Sequence, residues 1–152
     1  MRIERSWLAG SLALALVAGG CSTLPTTRSR VVKAAPVCVD ETVHIYFEEF
    51  SADVTPEGQA VLLQAAAQAR GCTVRRVTVL GLADGVGGDP ASNLELSKRR
   101  AQSVTAALTA TGLPAADFEL SAAGQDGAVN KQGDVRPLRR RADVTLHLEA
   151  PK

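Results

Sequence analysis

The sequence predicts an α/β sandwich, a β-α-β-α-β-β chain whose mixed sheet carries its helices packed on one face. Three observations predict it. Stretches in which apolar and polar residues alternate, the period of a half-buried strand, are separated by stretches with apolar residues at helical spacing. Each helical stretch is bounded by residues that start and stop helices. Strand and helix then succeed one another, and such crossovers are right-handed and set the strands they join parallel.

Taken in order, the first strand spans residues 43–47, with Val43, Ile45 and Phe47 inward and His44 and Tyr46 outward. A turn through Ser51, Ala52 and Asp53 leads to a helix with Thr55 as N-cap and Pro56 at its first position. The hydroxyl satisfies an orphan amide and the proline ring pre-sets φ. The apolar stripe of this helix is Leu62, Ala65, Ala66 and Ala69, mostly alanine and so suited to close packing, and Gly71 fits the left-handed position past its end. The second strand, residues 74–80, turns Val77 and Val79 in and Arg76 and Thr78 out, and is expected parallel to the first and beside it. The second helix is expected to open on a capping box, Ser92 and Glu95, to bury Leu94, Ala101, Val104 and Leu108, and to stop at Gly112 and Pro114. Residues 117–123 read as a third strand and 124–133 as a loop rich in Gly, Asn and Asp. The last strand, 141–149, points Ala142, Val144, Leu146 and Leu148 inward.

Residues 1–20 stand apart from this domain. Arg2 and Arg5 give a basic start, residues 7–17 are an uninterrupted run of apolar and small side chains, and Ala18, Gly19 and Gly20 precede Cys21. That is the layout of an export signal, shorter than the ~20 apolar residues a membrane span needs. Small residues directly before a cysteine resemble a bacterial lipobox, which implies acylation of Cys21 and a lipid anchor in the membrane. The alternative is an ordinary cleaved signal that leaves a free thiol. The non-acidic Ser22 resembles an outer-membrane sorting signal. Residues 21–41 then form a lipidated terminus and tether, and 42–150 the folded domain. Of the 17 basic and 16 acidic residues, the signal holds Arg2, Arg5 and Glu4, so its removal leaves a formally neutral chain. Such a chain lacks the net basic field on which general nucleic-acid binding depends.

Two further cysteines, Cys38 and Cys72, each lie nine residues before the end of a strand region, at Phe47 and Gly81, which puts both at one end of the sheet. In an oxidising compartment they pair as a disulfide, or they stand as two separate thiols. No CxxC or HxxxH spacing is present, so neither a metal nor another cofactor is expected.

The most informative stretch is residues 81–104. It places Asp84 on a glycine-rich strand-to-helix loop and Arg100 two turns into the next helix, opposite charges that together suit a small zwitterion. Its residues Gly81, Asp84, Asn93, Leu96, Ser97, Arg100, Ala101 and Val104 resemble the signature of the OmpA-like peptidoglycan-binding family. Phe47 with the run 51–58 resembles that family's first strand and helix start, and residues 139–144 its closing strand, so the likeness covers about residues 42–148. The chain departs from the pattern in three places. Leu82 and Ala83 stand where His and often Thr are usual, the interval from Asp84 to Arg100 is one residue longer than usual, and Arg139 stands where Asn is usual.

The resemblance implies a non-catalytic envelope protein that holds diaminopimelate, the stem-peptide residue whose side chain ends in an ammonium and a carboxylate. Asp84 would take the ammonium. Arg100 would take the carboxylate in a two-point fork, helped by free amides at the start of the second helix, and Asn93, Leu96 and Arg140 would line the pocket. With the lipid at Cys21, the protein would tie the outer membrane to the wall from the periplasmic side. Other readings stay open. Asp84 is also an ordinary turn residue before Gly85, Arg100 also belongs to a charged run with Lys98 and Arg99, and Arg140 also suits a pair with Asp143. His44 and His147 lie on outward parities and read as solvated. At the level of function, the alternative is the same fold used to dock an envelope protein partner, with Leu82 and the glycine loop adapted to it. An enzyme finds no support, because no spacing sets a nucleophile beside a base.

Overall fold

A computed structural model describes residues 37–113, 116–128, 130, 132, 134, 136 and 139–151. The signal segment, Cys21, the tether through residue 36 and Pro114 lie outside the described residues. The elements run β1 (Glu41–Tyr46), α1 (Pro56–Gln68), β2 (Thr73–Gly81), α2 (Pro90–Ala110), β3 (Asp117–Ala122) and β4 (Arg141–Glu149).

The four strands form one sheet in the order β1-β4-β2-β3. β2 and β3 pair in parallel across the α2 crossover, while β4 runs antiparallel to both β1 and β2. The first two strands therefore point the same way but are not neighbours, contrary to expectation. β4 is the most evenly alternating strand, and its inward Ala142, Val144, Leu146 and Leu148 are all buried. Taking the position between β1 and β2 lets it cover those residues from both sides. β2 has a register shift between Val74 and Arg76, and this bulge leaves Arg75 and Arg76 both exposed where strict alternation would turn one inward.

Ile45, Leu62, Val77, Val79, Val104, Leu108, Val144 and Leu146 make the fully buried core between sheet and helices. α1 starts as expected, with Thr55 Oγ1 accepting from the Gly58 amide at 3.2 Å, and Gly71 takes φ 92° beyond its end. α2 corrects the sequence reading in two respects. It begins two residues earlier, at Pro90, and its N-cap is Asp89 rather than Ser92: Asp89 Oδ1 accepts from the amides of Ala91 at 2.9 Å and Ser92 at 3.0 Å. The cap-then-proline start of α1 thus recurs, with a carboxylate in place of a hydroxyl. Leu94, expected on the buried side, is 38% exposed. The buried stripe is Asn93, Leu96, Ser97, Arg100, Ala101, Val104 and Leu108, polar in its first half and apolar in its second.

Cys38 and Cys72 are joined in a disulfide with Cα atoms 5.7 Å apart, tying the approach to β1 to the start of β2.

Candidate functional site

The ends of β1, β2 and β3 and the start of β4 come together at the opposite end of the sheet from the disulfide. Gly81, the last residue of β2, meets α2 there. A Cβ at this position would lie 1.9 Å from the carbonyl oxygen of Ser97, so only glycine lets the strand end touch the helix backbone. Ser97 fastens the same junction: its Oγ donates to the Leu94 carbonyl at 2.7 Å and accepts from the Gly124 amide at 3.0 Å. The loops after β2 and β3 are joined by Ala83 N to Gly124 O and Ala123 N to Gly81 O, at 2.7 and 3.0 Å.

Arg100 lies beneath this loop cluster with no exposed surface. Its Nε donates to Ser51 O at 2.8 Å, Nη1 to Leu82 O at 2.9 Å and Nη2 to Glu48 O at 3.2 Å. The guanidinium also sits 5.0 Å from the centre of the Phe47 ring. Burial pulls its pKa down to about 10, against the opposing charge of Asp84 and with the like charges of Arg140 and Arg99 adding to the fall. It remains a cation at neutral pH. Arg100 is thus no member of a solvated run, for Lys98 and Arg99 face water and it does not. Its fork is already engaged by three backbone carbonyls, so its first role is to hold the turn at 48–51 against the start of the β2 loop.

Asp84 is 5% exposed and so is buried well beyond an ordinary turn carboxylate. Oδ1 accepts from the Val86 amide at 3.3 Å. Oδ2 accepts no hydrogen bond. Arg140 Nε approaches Oδ2 to 3.4 Å without aligning to donate, which leaves a charge contact only. Arg140 is half-buried, and its Nη1 also lies 4.0 Å from Glu49 Oε2. Of the alternatives open for Arg140, the pair with Asp143 is not made: Arg141 takes Asp143 instead, Nε to Oδ1 at 2.6 Å. A buried carboxylate oxygen without a donor carries an uncompensated desolvation cost.

Asn93 is buried, and its Nδ2 donates to Gly88 O at 3.1 Å and to Gln125 Oε1 at 2.6 Å, so it braces the glycine loop from α2. Leu96 is buried beside it in the helix stripe. Leu82 and Ala83 are interior, 2% and 0% exposed. The free helix amides expected to meet a ligand carboxylate are not free, because Asp89 occupies those of Ala91 and Ser92. Their physical reason is the earlier helix start, which brings a carboxylate of the chain itself to that position.

Two participants were not anticipated from sequence. Gln125 completes the Asn93 contact from a loop whose conformation has no residue pattern to announce it. Phe50 has φ 56°, takes part in the turn that Arg100 holds and remains 58% exposed. A left-handed backbone at a bulky residue costs about 1–3 kcal/mol. Gly87, at φ 68°, faces this ring, and a Cβ there would lie 2.6 Å from Phe50 Cζ. Both histidines are paired rather than simply solvated: His44 Nδ1 lies 2.6 Å from Asp143 Oδ1, and His147 bridges Asp40 at 2.8 Å and Thr78 at 2.9 Å. They stand on the open face of the sheet, away from Asp84.

Residues 46–140 match the model of the OmpA family. Outer membrane protein A of Bordetella avium is 28% identical over 131 residues, which span 84% of this chain and 67% of that protein. Outer membrane protein A of Yersinia pseudotuberculosis is 41% identical over 90 residues, 57% of this chain and 25% of that protein, so the chain corresponds to a small part of the Yersinia protein. Among solved structures, the peptidoglycan-associated lipoprotein from Burkholderia pseudomallei superposes with a TM-score of 0.56 at 28% identity, over 70% of this chain and 89% of that one. The cell wall anchor of the T6SS from Pseudomonas aeruginosa gives 0.52 at 26% identity, over 72% and 82%.

Proposed function

The chain belongs to the OmpA family, and from that premise we propose that it is a non-catalytic envelope lipoprotein, anchored in the outer membrane through Cys21, whose domain binds peptidoglycan non-covalently from the periplasm. The moiety held is the side chain of diaminopimelate in the stem peptide. One observation carries the reading: Asp84 presents a buried carboxylate oxygen that accepts no hydrogen bond, 3.4 Å from a half-exposed arginine. Oδ2 itself has no solvent-exposed surface and Arg140 lies 3.4 Å from it, so a ligand ammonium supplies the missing donors by displacing the Arg140 guanidinium, which then receives the ligand's carboxylate. Arg100 adds positive charge from beneath while it holds the loops. Asn93 holds the glycine loop through Gly88 and Gln125, and Leu96 lines the pocket from α2. The names of the Burkholderia lipoprotein and the Pseudomonas wall anchor agree with this reading. In the alternative, a protein-docking surface on the glycine loop, Leu82 is no contact residue because it is buried, and the loop would have to supply the contacts.

The test is co-sedimentation of the purified domain with sacculi. Wild type is expected in the pellet. Asp84→Asn keeps the shape but loses the charge, and should weaken binding by about 2 kcal/mol, roughly thirtyfold. Equal sedimentation of the two would overturn the site. Arg100→Ala is unsuited to this purpose, since it frees three backbone carbonyls and perturbs the fold along with the site. Anchoring is tested separately: mass analysis of the mature protein should show acyl chains on Cys21, and Cys21→Ala should release the protein from membranes.

A further inference from the structure

We propose that Phe50 is a ligand-contact residue of the Asp84 site, its ring packing on the methylene stem of the zwitterionic side chain. The inference rests on the peptidoglycan reading above. Among the described residues Phe50 is the only non-glycine residue with positive φ, 56°. Its backbone is pinned on both sides, since Arg100 donates to Glu48 O and Ser51 O and the Ser51 amide closes the turn onto Glu48 O at 3.2 Å. The ring it carries is 58% exposed and rests on the Cβ-less Gly87. The contact with Gly87 leaves more than half of this residue exposed, whereas glycine or asparagine takes this backbone with less strain and a polar side chain is better solvated. A strained backbone that keeps an apolar ring in water points to something outside the chain that covers the ring.

What covers it follows from the surroundings. Val86, two residues past Asp84 and 39% exposed, bonds through its amide to Asp84 Oδ1 and so lies beside the carboxylate. Glu49, next to Phe50, approaches Arg140, which approaches Asp84 Oδ2. The unsatisfied carboxylate is thus bordered by an apolar pair, Phe50 and Val86, and a charged pair, Glu49 and Arg140. A ligand that fits both borders has charges at its tip and an aliphatic run behind them. A diaminopimelate side chain has that form.

The experiment is calorimetric titration of the domain with a sugar-free stem tetrapeptide that contains diaminopimelate, and in parallel with the sugar-bearing muropeptide. Phe50→Ala should weaken the sugar-free peptide about tenfold, the effect of exposing roughly two methylene groups, and Phe50→Tyr should retain affinity. Phe50→Gly separates binding from folding: it relieves the backbone, so its melting temperature should equal or exceed wild type while affinity falls as in Phe50→Ala. A lower melting temperature with unchanged affinity would show the ring to be structural and overturn the proposal. So would a loss seen only with the muropeptide, which would assign the ring to the glycan. If Phe50→Ala binds normally while Asp84→Asn does not, the role of Phe50 fails and the Asp84 reading stands. If wild type binds neither ligand, both fail.

Discussion

The two ends of the sheet are held together by different means. At one end Cys38 and Cys72 form a covalent tie, and Asp40 accepts from the Leu148 amide at 3.0 Å while pairing with His147. At the other a single buried guanidinium joins the loop after β1 to the loop after β2, Gly81 allows backbone to touch backbone, and a carboxylate oxygen is left without a donor. At the first end the described polar side chains Asp40 and His147 are paired. The second keeps two buried side-chain atoms without hydrogen-bond partners, Asp84 Oδ2 and Arg139 Nε. The unpartnered carboxylate oxygen lowers stability at the loop end, and the covalent tie at the far end raises it.

The largest effect should come from breaking the loop end. Arg100→Ala removes three hydrogen bonds from buried or half-buried carbonyls and the ring contact with Phe47, and takes away a buried positive charge that interacts with Asp84. Urea unfolding should show a loss of about 3–5 kcal/mol. Arg100→Lys should recover little of it, because one ammonium cannot span three carbonyls in the plane that a guanidinium serves. A loss under 1 kcal/mol for the alanine variant would show that the loops hold themselves.

These two ends also differ in how far the sequence disclosed them. The fastened end was readable as placement: counting nine residues back from two strand ends set both cysteines at one end of the sheet. The candidate site residues form a spaced motif, and Asp84, Asn93, Arg100 and Arg140 meet at the loop end, with Leu96 buried on α2 near Asn93. Their working was not readable. Hydropathy set Leu94 inward because it weighs side chains one at a time, whereas Asn93 goes in because Gly88 and Gln125 receive its amide. Arg100 read as a ligand fork because nothing local shows that carbonyls of Glu48 and Ser51, some fifty residues back, will occupy it. The misplaced neighbour of β1 has the same origin. Local pattern fixes which strands exist, but only the closed sheet decides that β4 slots between β1 and β2.

Breaking the fastened end should have a smaller and more separable effect. The disulfide closes a loop with a sequence separation of 34 residues, and the chain-entropy relation gives about 3–4 kcal/mol. Cys38→Ser with Cys72→Ser should lower stability by that amount and leave sacculus binding unchanged under conditions where the domain remains folded. Arg100→Ala, by contrast, should lose stability and binding together. Loss of binding in the folded double serine variant would show the two ends to be coupled through the sheet.

The smallest effect concerns acid. Asp89 caps α2 at the loop end, and the hydrogen bonds from the Ser92 hydroxyl and amide, with a further one from the Ala91 amide, hold its carboxyl below the ordinary value. A carboxylate whose pKa is lower folded than unfolded stabilises the protein fully above the unfolded value, near 4, and that contribution fades as pH falls through the folded value. Asparagine caps a helix about as well as aspartate but does not titrate in this range. Asp89→Asn should therefore match wild type at pH 7 and lose less stability as pH falls below about 4, as followed by thermal melts at successively lower pH. An acid limb as steep as wild type's would place the acid sensitivity elsewhere, with Asp40 at the fastened end and Asp143 on the open face as the other carboxylates held low.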